Sequence, residues 1–397
     1  MTQSRLFRAS VAHLMTTCAL LAMIIGAFVP RSSSAQTPAP SVSLSFGVDT
    51  SIAEVRDIVR LTRAYLAQPD ASARTRGLWS TQSAFDAQHG DLATAAYQGF
   101  PATILGVTGT GPGDSVFVVK VIHATADSAR KQIRPLALQR FYAVRAQGSP
   151  YGWQLSSPLP RLTRHWPRRD AAPITFWYGP GQTQSPHKAL EASRFVDSVA
   201  RLFNVSPPKH LDAFLTATMD EGQGLLGLDF FPENSGPGTG LGGRGGGAGI
   251  LLLSNPGIGE AYLHEIVHAV LGQTVESRNS IFGEGVAVWL GGSEGRSLKE
   301  MYSSLRDYQR AHPEVSVTGI FGDEPPGGHD ATIALYATRG LIVDAIYRRS
   351  GIAGLRRFAL IRASPDDIIK VLPAHINAVD GNIDRWWRAE TEAATKR

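Results

Sequence analysis

Cysteine is almost absent from this chain, since Cys18 is the single one among 397 residues. It lies inside an apolar stretch near the N-terminus, where we interpret it as an ordinary apolar residue of a targeting signal rather than a lipid-attachment site. Once that stretch is removed, the chain can form no disulfide, so core packing or a bound metal must stabilise it. Charged residues are also few, at 18%, whereas apolar residues make up 43%. This composition excludes a disordered or collagen-like polymer.

A large excess of one charge sign is missing as well. The chain has 39 basic and 34 acidic residues. Three of the arginines precede residue 36, so the remainder carries 36 basic against 34 acidic residues. A net charge of +2 gives no support to nucleic-acid binding, and we predict none. The length suits two domains.

The N-terminal apolar run is too short for an ordinary membrane span. Leu14–Val29 has 16 residues, whereas a spanning helix needs about 20. Arg5 and Arg8 precede it, and Ser33-Ser34-Ala35 offers small residues for cleavage, which is typical of a secretory signal. We therefore predict a signal peptide over 1–35, a secreted or periplasmic bacterial protein and no stable membrane span after cleavage. An uncleaved anchor is the alternative.

The first half of the remaining chain predicts a small α+β domain. Residues 36–47 are interpreted as a tether, and a helical period starts near Val48. Runs that alternate or carry β-branched residues follow, separated by turn signals. A helix followed by an antiparallel meander predicts a domain over 48–157 that is similar to the cone-shaped nuclear-transport-factor-like fold. The predicted strands are Ala102–Thr108, Ser115–His123, Leu138–Ala146 and Tyr151–Ser156.

Proline and arginine clusters at 158–172 are interpreted as a solvated linker, with an anion-binding patch as the alternative. Beyond it, Ile174–Tyr178 is predicted as a strand and His187–Phe203 as an amphipathic helix. The glycine-rich stretch 233–248 lacks the Gly-Lys-Ser/Thr ending of a phosphate-binding loop, so we interpret it as a flexible loop beside a site. Near the C-terminus, Trp386-Trp387 indicates that a terminal helix docks on the core rather than a surface ligand site.

The chemistry is concentrated in the segment AYLHEIVHAVL. His264 and His268 are four residues apart, so on a helix their imidazoles project from one face. This spacing suits a single zinc ion, and Glu265 can reach a water bound to the metal, as in the H-E-x-x-H pattern of zinc hydrolases. Apolar neighbours indicate a buried helix that ends near Gly272. Two incidental histidines on a core helix are the alternative.

A catalytic zinc site needs a third protein ligand, and Glu284 is the predicted one. The metzincin continuation with a third histidine is absent. Glu284 lies instead on a second apolar helix, where a buried carboxylate requires a partner. The small Gly285 is expected to let this helix approach the histidine helix. Glu276 and Glu260 are competing ligands.

With Glu-Gly-x-Ala following H-E-x-x-H, the chain resembles the gluzincin metallopeptidases, above all their peptidase MA-like domains. Thermolysin and the aminopeptidases are more distant relatives. The resemblance covers 174–363 and implies a zincin-like domain over 173–397, with a small sheet followed by a mostly helical part. It implies one zinc held by His264, His268 and Glu284, with Glu265 as the general base. It also places Gly249–Ser254 as the edge strand that aligns substrate backbone.

The resemblance extends to a tyrosine that donates a hydrogen bond to the oxyanion. Tyr336, on the predicted helix 331–348, matches that position; a core role is the alternative. His329 is a second candidate donor, and Asp330 is expected to cap the helix or to orient an imidazole. Ile281-Phe282-Gly283 departs from the usual aromatic-leucine pair before Glu-Gly. No exopeptidase motif is present, so nothing indicates cleavage from the amino end of a substrate.

The sequence therefore predicts a zinc-dependent peptidase acting on peptides or proteins. Two rivals stay open. One is a non-catalytic envelope binding protein with a relic zincin domain, although an intact Glu265 argues against it, since a structural site needs no base. The other is a zinc hydrolase of a non-peptide amide such as one in the cell wall.

Overall fold

Two β-sheets and a series of C-terminal helices make up the described part of the chain. The computed structural model describes residues 42–397 apart from 69–76, 81–93, 95–96, 98–99, 112, 128, 130, 232–241, 246–248, 273–274, 276, 278, 323–324, 363, 377 and 379–380. The predicted signal peptide lies outside these residues. Within them, no helix is both long and apolar enough to cross a membrane.

The first sheet confirms the predicted antiparallel meander. Four of its strands follow one another in space as in sequence: β2 (Ala102–Gly109), β3 (Val116–Asp127), β4 (Gln132–Arg145) and β5 (Trp153–Ser156). Helix α1 (Ala53–Leu66) places its apolar face on this sheet, and Ile58 and Leu61 are fully buried there. The cone shape stays a prediction.

Two further strands join the first sheet from outside the predicted meander. Strand β1 (Val42–Leu44) pairs in parallel with β2, so the end of the predicted tether 36–47 is part of the sheet. Strand β9 (Leu228–Phe230) pairs with β4, although it lies more than 60 residues downstream in the range predicted for the peptidase domain. The ion pair of Arg140 with Asp229, at 2.9 Å, fastens this pairing.

The second sheet corrects two predictions. Its order is β10-β11-β8-β7-β6, with β6 (Arg168–Ala171), β7 (Ile174–Tyr178), β8 (Leu211–Leu215), β10 (Gly242–Gly245) and β11 (Ile250–Ser254). The predicted linker 158–172 is not irregular, because it contains helix α2 (Leu159–Thr163) and the strand β6. The predicted edge strand, now β11, is internal, because β10 from the glycine-rich stretch pairs along its open side. The domain boundary itself stays a prediction.

Helices cover the second sheet and build most of the C-terminal half. Helix α3 (Pro186–Phe203) confirms the predicted amphipathic helix. Asn279 caps helix α6 (Ser280–Gly291) by accepting a hydrogen bond from Phe282 N at 2.8 Å. Trp387 is fully buried and donates from Nε1 to Thr338 Oγ1 at 3.0 Å, which confirms that the terminal helix docks on the core. The remaining helices are α4 (Met219–Leu225), α5 (Leu263–Leu271), α6 (Ser280–Gly291), α7 (Leu298–Ala311), α8 (Val317–Ile320), α9 (His329–Ala359, with a break in helical geometry at Gly351), α10 (Pro365–Val371) and α11 (Ile383–Ala394).

Close backbone contacts fix α6 between α5 and α9, and here the sequence prediction was wrong in one detail. Gly285 faces α9, not α5: a Cβ there would meet Arg339 O at 2.7 Å and Val343 Cγ2 at 2.6 Å. Gly291 is the residue that lets α6 approach α5, since its Cβ would meet His264 N at 2.5 Å. Interiors are too densely packed to absorb such contacts without a shift.

We expect Gly285→Ala to destabilise the chain because the added methyl group forces α6 away from α9. Overpacking of this kind costs about 1–3 kcal/mol, and denaturant unfolding measures it. The control is Gly224→Ala in α4, where the nearest atom to a new Cβ is 3.9 Å away. That variant should be as stable as the parent or slightly more stable. Equal stability of both variants would contradict the packing argument.

A chain of buried polar groups crosses the first sheet beside α1. Tyr65 Oη donates to Thr94 Oγ1 at 3.1 Å, and Gln139 Oε1 contacts Thr94 Oγ1 at 3.0 Å and His123 Nε2 at 2.9 Å. His123 is 2% exposed, and its Nδ1 has no hydrogen-bond partner among the residues described. Burial lowers the pKa of His123 below its usual value, against the opposite effect of Gln139.

This burial predicts a pH dependence of stability. The unfolded chain protonates His123 near pH 6.5, whereas the folded chain resists protonation until a lower pH. Stability is therefore present above about pH 6.5 and is lost as the pH falls towards the folded pKa. In urea titrations at pH 7.5 and 5.5, the parent should lose more stability on acidification than His123→Gln. An equal loss would assign the acid sensitivity to other groups.

Candidate metal centre

Helix α5 presents the two histidines on one face. His264 and His268 are one turn apart, and their Nε2 atoms lie 3.3 Å from each other. The remainder of the helix, including Ile266 and Val267, is buried against the second sheet and α3. The apolar face thus fixes the rotation of α5, and the histidines point to the opposite side.

Glu284 of α6 completes a three-atom cluster. Its Oε2 lies 3.2 Å from His264 Nε2 and 3.6 Å from His268 Nε2. Within the described residues these three side chains form a group whose ligand atoms could hold one metal ion. Tetrahedral zinc with bonds of about 2.0–2.1 Å separates its ligand atoms by about 3.3 Å. The geometry therefore fits zinc closely.

A backbone carbonyl orients the more buried imidazole. His264 Nδ1 lies 2.8 Å from Gly292 O, so a proton on Nδ1 donates to this oxygen and leaves the Nε2 lone pair for a metal. Gly292 has φ of 69°, and a Cβ there would meet Arg296 O at 1.9 Å. Only glycine allows the turn that brings this carbonyl to His264.

The electrostatics of the cluster favour a cation. Burial opposes charge on Glu284, but the facing imidazoles outweigh it and lower the pKa of Glu284 well below its usual range. Burial also opposes charge on His268, yet Glu284 and Glu265 raise the pKa of His268 to about 9. The side chains of His268 and Glu284 are 21% and 19% exposed, so solvent can reach them.

Glu265 and Tyr336 border this cluster. Glu265 follows His264 on α5 and is 6% exposed. The ring of Tyr336, on α9, lies 6.0 Å from the ring of His264. The nearby Glu284 carboxylate, together with burial, raises the pKa of Tyr336. The phenol therefore keeps its proton at neutral pH and can donate a hydrogen bond.

The other candidates from the sequence lie outside the cluster. Glu260 is buried but accepts hydrogen bonds from Tyr178 Oη at 2.8 Å and Ser185 N at 2.6 Å. It therefore holds the first residues of α3 in place. Glu276 lies outside the described residues. His329 is 62% exposed and contacts Glu294 at 3.4 Å. Asp330 is exposed and does not cap α9, whose N-cap is Gly328 without a side-chain hydrogen bond.

Sequence reasoning missed three residues around the cluster. Tyr262, buried at the start of α5, has its pKa raised by burial and by Glu265. Gly292 orients His264, and nothing in the sequence marked its carbonyl. Arg339 places its guanidinium 5.5 Å from the ring centre of Tyr336. A lone cation within the apolar run ALYATRGLIV was the signal that could have revealed it.

Comparison with known proteins assigns this chain to no family. No protein-family model matches the chain, and no curated protein matches it. Among solved structures, the M1 zinc metallopeptidase of Deinococcus radiodurans is similar, as a variant bound to a Tyr-Ser-Ala substrate (TM-score 0.35, 13% identity, 72% of this chain and 63% of that chain). Another crystal structure of it gives a TM-score of 0.34 at 13% identity, covering 74% and 64%. This chain thus spans less than two thirds of theirs. Similarity this low does not establish a family, so function is inferred from the atoms of the site.

The ligand geometry makes a prediction about metal affinity. We expect the parent to bind one zinc per chain and His268→Ala to bind it at least roughly a hundredfold more weakly, because loss of a direct ligand exceeds the ten- to hundredfold effect of outer-shell partners. Competitive chelator titration measures the affinity. The matched control is His329→Ala, which removes a histidine outside the cluster and should leave zinc affinity unchanged. Equal losses in both variants would contradict the assignment.

Proposed function

We propose that this chain is a secreted or periplasmic zinc-dependent peptidase that hydrolyses peptide bonds with His264, His268 and Glu284 as zinc ligands. Glu265 is its general base, and Tyr336 stabilises the oxyanion. The location rests on the N-terminal sequence alone. The substrates are peptides or proteins.

One observation carries the proposal: three ligand atoms from two helices converge at 3.2, 3.3 and 3.6 Å. Two imidazole lone pairs and a carboxylate at these distances repel one another unless a proton or a cation lies between them. Three protein ligands leave one coordination position for water or substrate, as catalytic sites require, whereas structural zinc sites use four protein ligands.

The residues around the cluster supply the remaining chemistry. Zinc held by His264, His268 and Glu284 would supply Lewis-acid chemistry, since it would lower the pKa of a water towards about 7 and polarise a substrate carbonyl. The Glu265 carboxylate accepts the proton of the attacking water and passes it to the leaving amine. The Tyr336 phenol donates a hydrogen bond to the oxygen that becomes negative. The Gly292 carbonyl keeps the His264 imidazole in its orientation.

Two other functions are weaker. A non-catalytic envelope binding protein would need no general base beside an open three-ligand cluster, whereas Glu265 lies there. A zinc hydrolase of a non-peptide amide would use the same groups and differ only in its substrate. A panel of casein, short peptides and cell-wall fragments separates that function from a peptidase.

We expect Glu265→Gln to abolish hydrolysis while zinc stays bound. Loss of a general base costs about 10²–10⁴ in rate, and Gln removes the base without touching a ligand. The measurement combines zinc content with hydrolysis of the panel. Glu191→Gln is the control, since Glu191 is exposed on α3 and away from the cluster.

Zinc in the parent and in Glu265→Gln, with hydrolysis of peptides by the parent alone, is the expected result. Hydrolysis of cell-wall fragments only would identify the amide hydrolase instead. Zinc without hydrolysis of any substrate would support the binding protein. Absence of zinc from both chains would overturn the metal centre.

A further inference from the structure

Arg339 brings a positive charge to the border of the metal cluster. It lies on α9, three residues after Tyr336, so the two side chains project from the same face. Its guanidinium contacts two aromatic rings, at 5.5 Å from the ring centre of Tyr336 and 5.9 Å from that of Phe321. Glu284 raises the pKa of Tyr336, and the positive charge of Arg339 opposes this effect.

The described part of the chain supplies no anionic partner for this cation. No described carboxylate lies within 4.0 Å of Arg339, and its buried Nε has no hydrogen-bond partner there. Elsewhere on α9 the contrast is plain, since Arg348 pairs with Asp344 at 3.1 Å and with Glu390 at 2.6 Å. A half-buried cation without a partner is costly, and ring contacts compensate only about 0.5–2 kcal/mol of this cost. An arginine held in this way is ready to bind an anion that arrives from solvent.

We propose that Arg339 binds a carboxylate of the substrate and thereby selects where the chain cuts. This inference rests on the proposed peptidase function. The planar guanidinium offers two parallel N–H donors that match a carboxylate. Side chains three residues apart on a helix are about 5–6 Å apart at Cβ. Since an extended residue spans about 3.3–3.6 Å, the bound carboxylate lies one or two residues from the scissile bond.

Two sources of carboxylate fit this position. A C-terminal carboxylate would make the chain release one or two residues from the end of a peptide. An aspartate or glutamate side chain would direct cleavage to internal acidic positions. The two sources share the same chemistry at Arg339, and blocking the peptide terminus separates them.

The test uses three matched peptides: one with a free C-terminus, the same peptide amidated, and the amidated peptide with a glutamate added near the scissile bond. Cleavage is measured as kcat/KM with the parent, Arg339→Met and Arg339→Lys. Binding of the same peptides is measured by calorimetry with the single variant Glu265→Gln and with the double variant Glu265→Gln/Arg339→Met. This readout does not depend on turnover. Arg357→Met is the control, because Arg357 is exposed on the same helix beyond its break.

We expect the parent to favour one carboxylate-bearing peptide over the amidated one roughly a hundredfold, as for loss of one partner of a buried charge pair. In Arg339→Met this ratio should fall to near one, in cleavage and in binding. Arg339→Lys should keep part of the preference, since the positive charge remains but the two parallel N–H donors of the guanidinium are lost. Arg357→Met should keep the parent ratio. Preference for the free terminus or for the glutamate identifies the source.

Failure of this inference is distinguishable from failure of the peptidase. Cleavage without preference for either carboxylate, or a preference that survives in Arg339→Met, overturns the role of Arg339 and leaves the peptidase intact. Arg339-dependent binding of a carboxylate peptide without cleavage by the parent overturns the peptidase and keeps the carboxylate site. If none of the three peptides is bound or cleaved, both the peptidase function and the carboxylate site are overturned.

Discussion

Repulsion between three electron-rich atoms is the constraint on which this structure depends. Two imidazole nitrogens and a carboxylate oxygen lie within 3.6 Å of one another at the junction of α5 and α6. Such an arrangement persists only if a proton or a metal cation lies between the atoms, or if rigid packing holds them. The chain provides the packing, and the chemistry of the donors selects the cation.

Helix α6 is fixed at both ends, which keeps Glu284 in register with the histidines. At its start, Asn279 caps the helix and donates from Nδ2 to Phe358 O at 2.8 Å, joining α6 to the far end of α9. At its end, Gly291 lies against the backbone of His264, and the carbonyl of Gly292 bonds to the imidazole of the same residue. The ligand distances are therefore set by backbone contacts, which vary less than side-chain rotamers.

The sequence predicted the helices, and the three side chains that meet at the cluster, because their signals are local. Periodicity revealed α3 and α5, and an isolated carboxylate among apolar residues pointed to Glu284. The two strands that the sequence did not indicate lie within 158–172 and at Gly242–Gly245, in stretches rich in arginine, proline or glycine that carry no strand pattern. Their strands β6 and β10 form because a neighbouring strand offers free hydrogen-bonding groups, which is information held by the tertiary structure. Arg339 escaped notice because the absence of a partner is visible only when its surroundings are known.

The pairing of β9 with β4 bears on how the chain can be divided. A fragment that ends near residue 158 would lack β9, and the stretch of β4 around Leu138 and Gln139 would become an unpaired edge. Open edges of this kind recruit strands from other molecules. The N-terminal sheet is therefore complete only after the polypeptide has passed through β8 in the second sheet and β9 has paired with β4. A protein that leaves the ribosome or the secretion channel N-terminus first would hold this sheet open until some seventy further residues have followed.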